Sequence, residues 1–222
     1  MVVSAELAPT LAEAAVQQER LARKVVMRDE PPFEGGLVTG VDVAYTQDQA
    51  VGCAVVMDLP RHEIVQITKV RRPCSTPYVP GFFHLREGPV IADLLRGMDA
   101  EGPILIDGNG ILHPRRLGLA SYMGVTMNRQ TVGVAKTLLL GEIQAFHHDV
   151  AEIVDAEEVI GSALWLRNRK TPVFVSVGHR IALETALDVV RACSSSGFLE
   201  PLRKAHCIAK SSVNDYMGGE VQ

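Results

Sequence analysis

Three apolar, β-branched runs stand in a row at residues 37–46 (LVTGVDVAYT), 50–59 (AVGCAVVMDL) and 63–72 (EIVQITKVRR), parted only by QDQ and PRH. Polar breaks this short admit hairpins and no intervening helix, so the runs are expected to form an antiparallel meander. The stretch 103–108 (PILIDG) then reads as a buried strand and 131–140 (TVGVAKTLLL) as another, while 151–178 holds two or three more β-rich segments, with a hairpin at the edge of the domain. Helical spacing marks residues 4–29, 82–98, 115–125, 181–193 and 201–217, with Gly88-Pro89 an alternative first turn for the second of these. The loop at 72–81 carries three prolines and a glycine. The order predicts an α/β fold whose central mixed sheet, a meander plus parallel strands, is flanked by helices.

A chain of 222 residues that is 47% hydrophobic can bury one sizeable core, and with no repeat or linker it is read as a single domain over residues 1–222. Cys53, Cys74, Cys193 and Cys207 form no CxxC pair, which argues for reduced thiols rather than a zinc site or a disulfide framework. No apolar run reaches the roughly 18 residues of a membrane span, and the N-terminal stretch lacks a leader pattern, so no membrane partner and a cytoplasmic location are expected. The formal net charge is −4, yet residues 64–86 hold Lys69, Arg71, Arg72 and Arg86 with no acid, and residues 108–141 hold Arg115, Arg116, Arg129 and Lys136 with none. Local positive charge of this kind suits a polyanion in spite of the acidic sum.

Carboxylates abut both cationic stretches. Asp42 interrupts the first β run, Asp107 ends the 103–108 strand, and Glu87 sits at or just inside the start of the second helix. Isolated charge is costly in such apolar settings unless it is paired or binds a metal. If the first run and the 103–108 strand lie side by side, Asp42 and Asp107 converge and Glu87 can approach from the connecting helix. Three hard oxygen ligands suit Mg²⁺ or Mn²⁺ and metal-assisted phosphodiester hydrolysis. Taken singly, each of these acids is more often a turn former or a helix cap. A dinucleotide-binding reading of GNG after a strand fails, because His113 stands where the third glycine is needed and a meander precedes it in place of a βαβ unit.

With GVDVAY (40–45), PYVPGFFHLREGP (77–89), DGNGILHPRRLGLASYMG (107–124), TVGVAKTLLLG (131–141), FVSVGHRI (174–181) and PLRKAH (201–206) in that order, the chain resembles the endonuclease V family. The resemblance implies a ribonuclease H-like fold and Mg²⁺-dependent nicking, with Mn²⁺ able to substitute, at deaminated adenine (hypoxanthine, inosine) in DNA. The second phosphodiester 3′ to the lesion is the bond cut, as a step of DNA repair by a monomer. It implies that Asp42, Glu87 and Asp107 bind the metal, with His206 near it and Lys136 near the scissile phosphate. His113 and Arg115 would line the strand path. Pro77, Tyr78, Val79 and Pro80 would form a stiff wedge that fills the gap left by a flipped base. Gly81, Phe83, Gly108, Asn109, Gly118 and Leu139 would form the pocket for that base.

Two departures from the family pattern bear on substrate. DGNG replaces the DGQG of many bacterial members, which keeps an inosine-specific ribonuclease open as an alternative, and Phe83 is bulkier than the residue frequent there. A non-catalytic binder of damaged or branched nucleic acid is the reading from a different class. His84, His147 and His148 are expected at the surface, His179 in a structural hydrogen bond or in catalysis, and Trp165 in packing.

Overall fold

A computed structural model describes residues 7–98 and 101–218. The expected meander is present as β1 (Leu37–Tyr45), β2 (Gln49–Asp58) and β3 (Glu63–Pro73), each antiparallel to the next. Helix α2 (Phe83–Arg96) returns the chain to β4 (Ile104–Asp107), which lies parallel to β1. Helix α3 (Leu119–Met127) leads to β5 (Thr131–Ala135), parallel to β4. The remaining strands are β6 (Glu142–Ile143), β7 (Val150–Asp155), β8 (Glu158–Leu164) and β9 (Val173–His179). They complete one mixed sheet in the order β3-β2-β1-β4-β5-β9-β8-β7-β6, with the β7–β8 hairpin toward one edge as expected. Helices α1 (Leu7–Ala22), α4 (Leu183–Ala192) and α5 (Glu200–Gly218) complete the set, with a two-strand hairpin, β10 (Ser194–Ser195) and β11 (Phe198–Leu199), before α5.

Strand β4 is apolar throughout until its last residue because both of its faces are covered, and Ile104, Leu105 and Ile106 are each 1% exposed or less. Val41, Ile104 and Ile106 pack with α2 and α3 on one face. Val38, Leu105, Val132 and Val175 pack with α4 and the segment leading into α5 on the other. Burying one such side chain contributes about 1.5–3 kcal/mol, so helices on both faces hold the central strands in register.

Several boundaries differ from expectation. The helix expected over 4–29 is α1; residues 4–6 lie outside the described set, and the chain leaves the helix after Ala22 because Val26 takes other partners, its N–H donating to His179 Nδ1 (3.2 Å) and its carbonyl accepting from Arg180 N (2.6 Å). Helix α2 begins at Phe83 and carries Pro89 inside it, so Glu87 sits in its second turn and not at its start. Helix α3 begins four residues later than expected, since Arg115 and Arg116 turn their side chains to tertiary partners and Arg116 adopts φ +53°. Strand β5 stops at Ala135; Leu138 and Leu140 leave the ladder to pack against Ile153, Ile160 and Phe174. All four cysteines are free thiols.

Candidate active site at the ends of the central strands

The β1–β4 register pairs Gly40 with Leu105 and Val41 with Ile106, so one further step sets Asp42 beside Asp107. Because side chains alternate along a strand, Val41 and Ile106 point to the α2/α3 face, and Asp42 and Asp107 turn toward α5. The start of α5 reaches β1 because Gly40 lacks a side chain; a Cβ there would run into the backbone of Pro201. His206, five positions on, then lies over β1 with Nδ1 2.9 Å from Asp42 Oδ2. Asp107 Oδ2 accepts a hydrogen bond from Lys136 Nζ at 2.5 Å, just beyond the end of β5.

Glu87 is 6% exposed and makes no ion pair among the described residues. Burial pushes its pKa well above the usual carboxylate range, and the charges of Asp42 and Asp107 push the same way; Tyr45 and Arg86 pull it partly back. The Tyr45 hydroxyl is near enough to affect Glu87, but it is buried without a partner at hydrogen-bond geometry. Arg86 lies over the Tyr45 ring, 4.0 Å from its centroid. Burial also raises the pKa of Asp42, with Asp107 adding to it and His206 and Lys136 opposing it. The three acids named from the sequence therefore share one electrostatic site. Among the described residues no three His, Cys, Asp or Glu side chains close into a ready-made cage. An all-oxygen, carboxylate-rich set fits Mg²⁺ or Mn²⁺, which bind through one or two carboxylates with the rest of the shell left to water and substrate phosphate.

The other candidate residues, apart from Leu139, lie in the segments that lead into α2 and α3 or at the start of α2. Tyr78 is 50% exposed and sets its ring edge-on to Phe83, with centroids 5.5 Å apart; Pro77 and Pro80 are exposed and Val79 is half-buried, its carbonyl accepting from Phe82 N at 3.0 Å. Gly81 adopts φ +77°, a region that disfavours side chains, and turns its carbonyl inward. That oxygen accepts from Arg115 Nη2 (2.8 Å) and Gln18 Nε2 (3.1 Å) and lies 3.2 Å from His113 Nε2. His113 is 4% exposed, and the Arg115 guanidinium also covers the Phe82 ring at 4.3 Å, so both help to hold the Gly81 turn. Gly108 N donates to Val134 O at 3.1 Å, and the buried Gly118 folds back onto Gly110 O at 2.9 Å. Asn109 Oδ1 is buried without a partner. Leu139 stands exposed on the segment after Lys136.

His84 overturns its surface expectation. It is 2% exposed, stacked on Tyr122 at 4.5 Å between centroids, with Nδ1 3.4 Å from Gln18 Nε2. Burial and then the nearby Arg115 push its pKa down to about 4, and the same two causes, in that order, push His113 down to about 4. His147 and His148 are exposed as expected, His179 is a buried hydrogen-bond acceptor, and Trp165 packs edge-on to Phe146. The cationic stretches are partly neutralised: Arg72 pairs with Asp93, and Arg116 with Asp155 and Glu158.

Sequence reasoning missed Gln18, which is 1% exposed. Its Nε2 also donates to Leu117 O at 2.9 Å, and its Oε1 accepts from Arg115 Nε at 2.6 Å, so one amide joins the Gly81 turn to the loop before α3. The available signal was an amide on the inward face of an amphipathic helix. Arg169 was missed as well; its positive charge is felt by Lys136.

A mixed sheet with a leading antiparallel meander, parallel central strands and acids on their adjoining ends defines a ribonuclease H-like α/β enzyme. The profile of the endonuclease V family matches residues 19–207. The chain belongs to that family and is an endonuclease, a hydrolase that binds nucleic acid. It is 39% identical over 211 residues to endonuclease V of Thermofilum pendens, which covers 94% of this chain and 91% of that protein. The crystal structure of Streptomyces avermitilis endonuclease V superposes with a TM-score of 0.84 at 34% identity, covering 93% of this chain and 94% of that one. Ciona intestinalis endonuclease V, solved with a 24mer DNA containing an inosine followed by a ribo-adenosine, gives 0.85 at 28% identity, covering 94% and 99%. No helix among the described residues is long and apolar enough to cross a membrane.

Proposed function

We propose that this chain is a divalent-metal-dependent endonuclease that nicks DNA at inosine, hydrolysing the second phosphodiester 3′ to the lesion, as a monomeric single-domain repair enzyme in the cytoplasm. The reading is supported by Asp42 and Asp107 lying at the adjoining ends of β1 and β4, and by the upward shifts of Asp42, through burial and the Asp107 charge, and of Glu87, through burial and the charges of both. The inosine-containing DNA bound by the Ciona protein supports the substrate class. Asp42, Glu87 and Asp107 would hold Mg²⁺, with Mn²⁺ able to replace it. The metal when bound would activate water and offset charge on the phosphate.

Lys136 keeps Asp107 turned toward the site and sets a positive charge where a scissile phosphate would lie. His206, fixed through Nδ1 on Asp42, keeps Nε2 out of that contact and available to the substrate. Tyr78 in the Pro77–Pro80 turn is proposed to fill the stack after the base leaves it, and the Gly81, Phe83, Gly108, Asn109, Gly118 and Leu139 backbone to receive that base. His113 and Arg115 act by fixing the turn between wedge and pocket.

A second reading, inosine-containing RNA, draws on the ribo-adenosine that follows inosine in the Ciona complex. The test is cleavage of matched single-stranded DNA, duplex DNA and RNA, each with one inosine, under Mg²⁺ and under EDTA. Mg²⁺-dependent nicking one nucleotide beyond inosine in DNA is expected. Binding of all three with no cut under Mg²⁺ or Mn²⁺ would replace the enzyme reading with that of a binder.

A further inference from the structure

On the α5 side of the carboxylates a cavity of about 250 Å³ opens next to Asp107 and His206, floored by Val134, Val173, Leu199 and Leu202. This is below the roughly 300–1,000 Å³ of pockets that enclose a whole drug-sized ligand and suits a fragment no larger than a single base. Lys136, Arg169 and Arg203 border it, and Phe198, 55% exposed, forms one wall. Phe198 does not drift on a loop. It opens β11, directly after a turn in which Ser196 and Gly197 both have positive φ (+50° and +85°), the tight geometry of a two-residue hairpin. The Arg203 guanidinium lies 6.0 Å from the Phe198 ring centroid and pairs with Glu200 at 2.6 Å, whereas Arg169 makes no ion pair among the described residues.

The geometry points to a nucleotide subsite at which the base immediately 3′ to the cut bond stacks on Phe198, with Arg203 over the ring's edge and Arg169 beside the phosphate. The inference rests on the proposed function and extends it. The wedge and base-pocket residues, apart from Phe83 at the first position of α2 and Leu139 after β5, precede α2 and α3, which cover one face of the sheet, whereas this cavity lies under α5 on the other. Asp42 and Asp107 stand between them at the strand ends. A strand whose flipped base enters from the α2/α3 side and whose cut falls 3′ of that base must pass the carboxylates toward α5, which delivers its next nucleotide to Phe198. Stacking on an aromatic ring is tolerant of base identity, and Arg169, which unlike Lys136 and Arg203 makes no ion pair among the described residues, matches a phosphodiester. The subsite therefore demands local opening on the 3′ side of the cut as well as at the lesion.

The experiment uses the full chain and two single-stranded oligonucleotides with one deoxyinosine, one bearing a base and one an abasic spacer at the first nucleotide 3′ to the cut. Wild type is expected to cut the base-bearing strand about tenfold better in kcat/KM. Phe198→Ala should erase that preference and leave cutting of the spacer strand unchanged; Phe198→Tyr should keep it. In parallel, 2-aminopurine at the same position, in EDTA, should be quenched by wild type and by Phe198→Tyr, and not by Phe198→Ala. Quenching without any cleavage would reject the proposed function and leave the subsite standing. Normal cleavage with the preference or the quenching intact in Phe198→Ala would reject the subsite.

Discussion

His206 Nδ1 lies 2.9 Å from Asp42 Oδ2 across 164 positions of chain, so a helix near the end of the protein completes a site begun on its first strand. The His206 side chain is 52% exposed, and its loss leaves the core untouched. His206→Ala should lower single-turnover cleavage by about 10–100-fold, the usual range for a group that orients a metal-binding ligand, with no change in melting temperature. Unchanged cleavage would remove His206 from the reaction.

Burial and its two acidic neighbours disfavour the Glu87 anion and push its pKa well above the usual carboxylate range. The raised pKa means the folded state favours the proton, so the anion costs stability once pH exceeds the unfolded value. Glu87→Gln should therefore raise the melting temperature in EDTA, by roughly 2–4 °C for each ~1 kcal/mol relieved, while abolishing cleavage. Mg²⁺ should stabilise wild type and not the variant. Calorimetry with and without Mg²⁺ checks both; a destabilised variant in EDTA would contradict the strained-anion account.

His84 and His113 carry the opposite sign. Their pKa values fall to about 4 in the folded protein, so between about pH 6.5 and pH 4 the unfolded chain binds protons that the native rings refuse. Each ring should cost about 1.4 kcal/mol of stability per pH unit as pH falls through that window. Asp42 and Glu87 work against this trend, since protonation relieves them, so the informative quantity is the wild-type stability curve minus that of His113→Gln or His84→Gln. That difference should grow less favourable to wild type on acidification. A flat difference from pH 6.5 to 4.5 would mean the rings are not held neutral.

Gln18 closes the Gly81 turn onto Leu117 and Arg115 from a helix that lies largely before the family match at residue 19. Gln18→Leu should cost about 1–3 kcal/mol, because buried carbonyls and a guanidinium lose their partner. It should also narrow the ratio of inosine to adenosine cleavage, with the larger effect on KM. Loss of stability with that ratio unchanged would confine Gln18 to packing.

The legible parts of this molecule were those written in local pattern. Apolar β-rich runs and three-residue breaks set the meander, and Asp42 within one such run and Asp107 at the end of another marked the strands that lie side by side. What escaped depended on close approach between distant segments. His84 looked like a surface histidine because its concealment comes from α1 and Tyr122, far away in sequence. The contacts of Arg115 and His113 with Gly81 escaped because that partner is a backbone carbonyl, which no side-chain pattern announces. Helix α2 starts at Phe83, close to the expected 82, and not at the alternative Gly88-Pro89, because Phe83 and its neighbours begin the helix on the α2/α3 core. The acid-free stretches were a count along the chain, blind to Asp93, Asp155 and Glu158 arriving from elsewhere to pair with them.

The central claim is that Asp42, Glu87 and Asp107 act together through a divalent ion. Single-turnover cleavage of a duplex with one deoxyinosine, at saturating Mg²⁺, compares wild type with Asp42→Asn and Asp107→Asn at equal bound fraction. The account predicts a loss of at least about 1,000-fold in each variant with lesion binding retained. Cleavage by either variant within a few-fold of wild type would contradict it.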